Sequence, residues 1–435
     1  MARGGRVASG SRTPYGALTR EMCSVEYEST LVALDVGTSK VVALVGELRT
    51  DGSINVIGNG TEPTTGLKKG QVINIEATVA AIRTAVARAE TRSGFRLEAA
   101  FVGVGGAHLR SMNSRGTVAV SGQHREVARE DVERATEVAR TVHLPKDQEL
   151  LHVIPRDFLV DGQEGVKDPI GMSAVRLEVE AHLVHGLVTP IQNLQKCVRQ
   201  AGVRVDELIA NALASGEAVL SDTERELGVA VADIGAGTTD VALYVDGSPF
   251  HTAAVPLGGS HVTSDLAIGL KTTILIAENL KLVAGSADPR SVDPAEPIPL
   301  GLAEHLEGRL PLRADLADII EARMREIFEK IGEEIAAGSR GHPIPAGLVL
   351  TVGGANLPGV ADLGREVLGL PVRVALPVDP GGLTDDIISP AYASSIGLLL
   401  WAARVVGQSE VRRFEPATDG SLGDRVRSIL RGLFP

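Results

Sequence analysis

Two short runs carry residue types that can hold a phosphate. "LVALDVGTSK" (31–40) takes an apolar run into Asp35, a turn at Gly37, the hydroxyls of Thr38 and Ser39, and Lys40, before an apolar run resumes. "VAVADIGAGTTDVALYVDG" (229–247) repeats the plan with Asp233, Gly235, Ala236, Gly237, Thr238 and Thr239. Each reads as a β-hairpin. Glycine permits positive φ and close backbone approach. Gly37, Gly235 and Gly237 therefore let successive N–H groups and hydroxyls line an anion-binding concavity. Carboxylates cannot face phosphate bare, so Asp35, Asp233 and Asp240 call for an intervening cation, and hydrated Mg²⁺ is the natural one. Two such hairpins face to face make a clamp for a Mg²⁺-bound nucleoside polyphosphate. Alone, either is as readily an ordinary glycine turn; the repetition signals an internal duplication.

Two further stretches complete the set. In "GLVLTVGGANLPGV" (347–360) an apolar strand ends in Gly353–Gly354 and then Asn356, a turn that can lie flat beneath a purine and its ribose. In "IAENLKLVAG" (276–285) Glu278 and Lys281 sit three apart on one helical face. They could bind ribose hydroxyls and adenine edges, although an isolated pair at this spacing is more often a solvated salt bridge.

The elements that must position these residues need a large α/β frame, and the chain supplies it. Its 435 residues imply two or more domains. A net charge of −12 argues against a dedicated nucleic-acid binder. Two cysteines, Cys23 and Cys197, make no disulfide framework, which fits a reducing cytoplasm. The best apolar stretch, "IGLLLWAARVVG" (396–407), contains Arg404 and falls short of the roughly 20 residues of a membrane span. The N-terminal "MARGGRVASGSRTPYGALTR" has arginines but no apolar core, so it is not a secretory signal; it reads as a disordered extension, with Met22 an alternative start.

Taken in order, 35–40, 233–240 and 351–356 resemble the phosphate-1, phosphate-2 and adenosine motifs of the actin–Hsp70–hexokinase superfamily. "NALASGEAVL" (211–220) and "SPAYASSIGLLLWAA" (389–403) resemble its connecting helices. Within the superfamily the chain is similar to the FtsA family. The likeness rests on "IGNGTEPTTGLKKGQVINIEATVAAIRTAVARAE" (57–90), "LLHVIPRDFLVDGQEGVKDPIGMSAVRLEVEAHLV" (150–184), "VPLGGSHVTSDLA" (255–267) and "GLTDDIISPAYASSIGLL" (382–399). It covers about 30–405. One departure is Ala236, where the family commonly has glycine; it is tolerable if its φ stays negative.

The resemblance implies an α/β, actin-like, duplicated ribonuclease H-like fold, with two lobes around a nucleotide cleft and an FtsA-type 1C insertion. The expected divisions are an extension at 1–29, subdomain 1A at 30–105 and 185–228, and 1C at 106–184. Subdomain 2A follows at 229–265 and 346–405, the latter returning to 1A, with 2B and helices at 266–345. Within that last span "ADLADIIEARMREIFEKIGEEIAA" (314–337) has the apolar period of a helix. A linker is expected at 406–421 and a terminal helix at 422–435.

In that last segment Leu422, Val426, Ile429, Leu430 and Leu433 form one apolar stripe with Phe434 at its edge, flanked by Arg425, Arg427 and Arg431. After a polar linker this suits an interfacial membrane helix; the alternative is a helix docked on the core. The family implies ATP and Mg²⁺ as cofactors, polymerisation on the cytoplasmic face of the membrane at the division site, self-contacts through 1C, and contacts with other division proteins. It also implies capture of the FtsZ C-terminal tail by 2B, where Arg309 and Arg313 are candidate contacts. Actin-like folds place a water-orienting residue in the first connecting helix, which points to Glu217 and a slow ATPase at most. The alternatives are a small-molecule kinase of the same superfold and an actin-like pilus or secretion assembly protein.

Overall fold

The computed structural model describes residues 27–121, 125–298, 312–383 and 385–414. The chain opens with strands β1 (Tyr27–Val36), β2 (Lys40–Arg49) and β3 (Ile54–Pro63), then a short ladder of β4 (Leu67–Lys68) and β5 (Gln71–Val72). Helix α1 (Ile75–Ser93) follows, started by Asn74, whose side chain accepts from Ala77 N, and stopped by Gly94 in the left-handed conformation. It delivers the chain to β6 (Ala99–Val104).

The next unit holds β7 (Leu109–Ala119), α2 (Arg129–Arg140), β8 (Gln148–Val160), β9 (Gln163–Val166) and β10 (Arg176–Leu187). Its strands pair in the order β7-β10-β8-β9 around a small core of their own, with Leu177, Val179, Ala181 and Leu183 at its centre. It leans on the second lobe through Asn113 Nδ2 to Phe250 O (3.1 Å) and Thr252 N to Ser111 Oγ (2.7 Å).

The first lobe resumes with α3 (Val188–Gln200), β11 (Arg204–Ala210), α4 (Asn211–Val219) and α5 (Asp222–Leu227). The second lobe has β12 (Val229–Ile234), β13 (Thr239–Val245), β14 (Ser248–Val255), α6 (Gly259–Gly269), α7 (Ile274–Ala284), α8 (Arg313–Ser339), β15 (Leu348–Thr351), α9 (Val360–Leu368) and β16 (Val372–Val374). Helix α10 (Ala393–Phe414) returns to the first lobe.

The two main sheets share one plan. The first runs β3-β2-β1-β6-β11 and the second β14-β13-β12-β15-β16. In each, a central strand pairs antiparallel with the strand after it and parallel with a later one. The centre of each sheet is apolar on both faces, with Val41–Val45 and Val229–Ala232 fully buried or nearly so. The apolar period of 314–337 is that of α8, which buries Leu316, Ile320, Met324, Ile327, Phe328 and Ile331.

Helix α6 begins at Gly259, where Gly259 N and Ser260 N donate to the carbonyls of Gly235 and Ala236. Helix α10 continues to Phe414, past the expected linker start at 406, since no glycine–proline pair interrupts it before then.

Candidate functional site

The two glycine turns meet. Gly37 N donates to Lys40 O at 3.0 Å and Gly235 N to Thr238 O at 2.9 Å, closing the first and second hairpins alike. Gly37, Gly235 and Gly237 all keep φ out of the positive region, contrary to the expectation from their residue type. Space is the reason for glycine here. A Cβ on Gly237 would lie 2.8 Å from Thr38 Oγ1 and 3.0 Å from Lys69 N, so the second turn presses its backbone against the first. Ala236 also keeps φ out of the positive region, the condition for tolerating alanine there.

Behind the turns lie the three acids. Asp233 and Asp240 face each other across β12 and β13. Asp233 Oδ2 accepts from Ser215 Oγ at 2.8 Å and Ser394 Oγ at 2.7 Å; Asp35 Oδ2 accepts from Ser395 Oγ at 3.1 Å; Asp240 Oδ1 accepts from Gly106 N at 3.0 Å. Burial pushes all three pKa values up, and the charge of Asp240 adds to the effect on Asp233. A nearby cation would reverse that penalty.

Among the described residues no three Asp, Glu, His or Cys side chains converge closely enough to grip a metal directly. Asp35, Asp233 and Asp240 therefore fit a cation held through its water shell, as Mg²⁺ commonly is. One further observation fits that shell. Asn211 Oδ1 is buried without a hydrogen-bond partner. It sits between the acids: the Cβ position of Gly103 is 2.5 Å from Asn211 Oδ1 and 3.5 Å from Asp35 Oδ1, and that of Gly105 is 2.6 Å from Asp240 Oδ2 and 2.9 Å from Asn211 Nδ2. An acceptor left open there suits a water donor.

A cleft of about 220 Å³ opens above. It gathers Ser39 and Lys40 from the first turn, Gly235 and Ala236 from the second, Glu278 and Lys281 from α7, and Gly353, Gly354 and Asn356 after β15. Lys40 Nζ rests 3.6 Å from the centroid of the Tyr392 ring. Lys281 Nζ pairs with Glu278 Oε2 at 2.7 Å and donates to Thr263 Oγ1 at 3.0 Å, so the pair is a salt bridge and also a cleft wall. A Cβ on Gly353 would meet nothing within 4 Å, whereas one on Gly354 would strike Ile234. Gly353 thus borders open space while Gly354 seats the turn on β12.

Before them Val352 adopts φ 65°, a costly conformation of roughly 1–3 kcal/mol for a β-branched residue. Its N–H, donated to Pro390 O at 2.9 Å, holds it there.

Other expected residues lie elsewhere. Glu217 is not in the cleft: its carboxylate pairs with Arg404 at 2.9 Å and Arg225 at 3.4 Å. On α4 it stands about 200° around from Ser215, the residue that reaches Asp233. The Thr239 hydroxyl is used by Leu257 O at 3.0 Å, while Thr238 Oγ1 approaches Asp240 Oδ2 at 3.5 Å. Thr38 Oγ1 accepts from Gly70 N at 3.2 Å. Arg313 pairs with Glu296 at 2.7 Å. Arg309 and the whole segment 422–435, from Leu422 to Phe434, lie outside the described residues. Asn211, Ser215, Ser394 and Ser395 were the site residues that sequence reasoning missed. They fall in the two stretches that resemble connecting helices, but small polar residues within a helix carry no signal of direction.

Comparison with known proteins agrees with this frame. A family model described as "SHS2 domain inserted in FTSA" matches residues 106–185, and one described as "Cell division protein FtsA" matches 230–397. The cell division protein FtsA of Pseudomonas aeruginosa is 43% identical over 380 residues, covering 87% of this chain and 91% of the relative. Among solved structures, a PilM–PilN type IV pilus biogenesis complex is similar at a TM-score of 0.60 and 17% identity, covering 86% of this chain and 98% of that one. MreB 5 of Spiroplasma citri bound to AMPPNP is similar at 0.50 and 14%, covering 88% and 98%. These two share the actin-like fold. The chain belongs to the FtsA family of actin-like cell division proteins.

Proposed function

We propose that the chain binds Mg²⁺-ATP between its lobes, polymerises on the cytoplasmic face of the cell membrane at the division site, and tethers FtsZ filaments there. The observation that carries the nucleotide part is the meeting of the two glycine turns in front of the half-buried Asp35 and the buried Asp233 and Asp240. In this reading the turn N–H groups with Ser39 and Lys40 take the phosphates. Glu278 and Lys281 flank the ribose, and Gly353, Gly354 and Asn356 underlie the base. Bound Mg²⁺ would supply charge neutralisation between the phosphates and the acids. Ser215, Ser394 and Ser395 orient the acids, and Asn211 Oδ1 accepts from a water in the cation's shell. Turnover is slow, because the cleft carboxylates are already held by hydroxyls, a backbone amide or Lys281.

The tethering part rests on 422–435 and on the family. A helix of that length binds a membrane weakly by itself, and polymerisation multiplies the attachments into tight binding. The inserted unit at 106–184 serves self-assembly and contacts with other division proteins, and the second lobe's helical region receives the FtsZ tail. The test is co-pelleting of the purified chain with anionic vesicles and FtsZ, with and without Mg²⁺-ATP. FtsZ should pellet with vesicles only when the chain is present, and deleting 422–435 should release both. Retention of FtsZ on vesicles by the truncated chain would sink the tether.

A further inference from the structure

We propose that the end of the first lobe remote from the cleft is a second membrane-contact surface, in which Phe95 enters the lipid interface and surrounding cations face anionic headgroups. The proposal rests on the reading of 422–435 as a membrane helix and goes beyond it by assigning the folded body a contact of its own.

Topology places the surface. β6 and β11 run parallel to β1, whose far end carries Asp35 at the cleft. The turns that enter β6 and β11, at 94–98 and 201–203, therefore lie at the opposite end. Helix α10 starts at the cleft, where Ser394 and Ser395 hold the acids, and runs 22 residues away from it. At about 1.5 Å per residue it spans about 33 Å, the length of a ten-residue strand at about 3.3 Å per residue. Its C-terminal end thus leaves the lobe beside those two turns. From Phe414, residues 415–421 reach at most ~25 Å even fully extended. A membrane helix beginning at Leu422 would keep this end of the lobe within that distance of the bilayer.

The chemistry found there suits that position. Phe95 is 46% exposed at the tip of the turn after α1. The turn is fixed by Gly94 at φ 76° and by Ser93 Oγ accepting from Phe95 N at 3.3 Å, so the ring is presented by an ordered backbone. Phe95, Arg83 and Arg96 border one open groove with the 201–203 turn. Arg92, Arg96, Lys196 and Arg199 are exposed, and among the described residues none of them pairs with a carboxylate. The acids nearby are Glu90, which receives Leu97 N at 2.8 Å, Asp206, which is paired with Arg204, and exposed Glu98. Arg92 donates to Asn59 Oδ1 and Arg199 to Gln195 Oε1, so these cations are held by neutral amides, and on a chain of net charge −12 cations without a carboxylate partner around an exposed aromatic ring are the pattern of an interfacial contact.

Phe95→Trp tests it in the full chain, because Trp401 is the chain's one tryptophan and is buried. With phosphatidylglycerol vesicles carrying brominated acyl chains, Phe95→Trp emission should shift to the blue and be quenched, while that of the parent's Trp401 stays constant. Emission that neither shifts nor quenches, in a chain that pellets with the vesicles, overturns the proposal. In a second arm, Phe95→Ser with Arg96→Glu should lower vesicle affinity roughly tenfold at low salt and leave Mg²⁺-ATP affinity unchanged; unchanged vesicle affinity counts against the surface. Deleting 422–435 separates the two readings. If the truncated chain pellets undiminished, the terminal helix is not the tether and the quenching result still decides this surface. A parent chain that does not pellet at all overturns both.

Discussion

The two glycine-turn hairpins share a backbone plan and differ in what their side chains bring. Asp35 and Asp233 occupy the same place, each near the end of the central strand of its sheet. Across the ladder, however, Asp35 faces Val42 while Asp233 faces Asp240. Five residues on from the acid, the first hairpin has Lys40 and the second has Thr238. The first half thus carries one acid and a cation that reaches the cleft; the second carries a like-charged pair steadied by serines from both connecting helices. On the proposed reading, two like frames have come to differ in emphasis: the first adds Lys40 for the phosphates, and the second adds Asp240 for their cation.

The largest expected effect comes from separating the frames. Gly237→Val would drive a side chain into Thr38 and the Lys69 backbone. Overpacking of this kind costs about 1–3 kcal/mol, and here it falls on the contact that aligns the two turns. Thermal shift should show a lower Tm and no stabilisation by Mg²⁺-ATP. A normal ligand-induced shift in this variant would show that the turns need not touch.

Next in size is the asymmetry of charge. Asp240→Asn removes half of the like-charged pair. Its expected outcome is a higher Tm without nucleotide at neutral pH, with Mg²⁺-dependent ATP affinity about tenfold weaker, or about 1.4 kcal/mol. Lys40→Ala should weaken ATP by a similar factor but leave the Mg²⁺ dependence alone. Calorimetry across a Mg²⁺ titration separates the two, and equal behaviour of the variants would erase the distinction between the hairpins.

The acids also set a pH dependence. Their folded pKa values are raised, chiefly by burial. A raised carboxyl pKa means the folded state binds more protons than the unfolded one. Ligand-free stability should therefore fall as pH climbs from the ordinary carboxylate value of about 4 through the raised values. Mg²⁺-ATP should flatten that slope, and Asp240→Asn should make it shallower. A ligand-free Tm that rises over this range would contradict the burial of unpaired acids.

Much of this was legible in the sequence because it is local. Strand, acid and glycine turn are written consecutively at 31–40 and 229–247, and the chain there can fold in few other ways. The helix within 314–337 announces itself through its apolar period. What could not be read was non-local. No spacing rule brings Ser395 to Asp35 or Asn211 between Asp35 and Asp240, since these meet only after both lobes close on the connecting helices. Of the two reasons for glycine in these turns, close backbone approach holds and positive φ does not: composition shows that a Cβ is absent, and only the packed structure shows what it would have struck.

The smallest effect is expected one helical step from the site, and it tests how sharply direction matters on α4. Ser215 and Glu217 lie on the same short helix, yet one holds Asp233 and the other joins Arg225 and Arg404 on the far side. Ser215→Ala should loosen Asp233 and weaken Mg²⁺-ATP only a few-fold, less than a lone hydrogen bond to a charged group would give, because Ser394 Oγ still donates to Asp233 Oδ2. Glu217→Gln should leave affinity and turnover at parent levels. It should instead lower stability by about 1 kcal/mol, because Arg225 and Arg404 each lose a partly buried partner. Denaturant unfolding and single-turnover hydrolysis, run side by side, separate these outcomes. Slower turnover in Glu217→Gln at unchanged affinity would mean that the lobes close further with ATP bound and carry that carboxylate toward the cleft, and the division of labour along α4 would have to be redrawn.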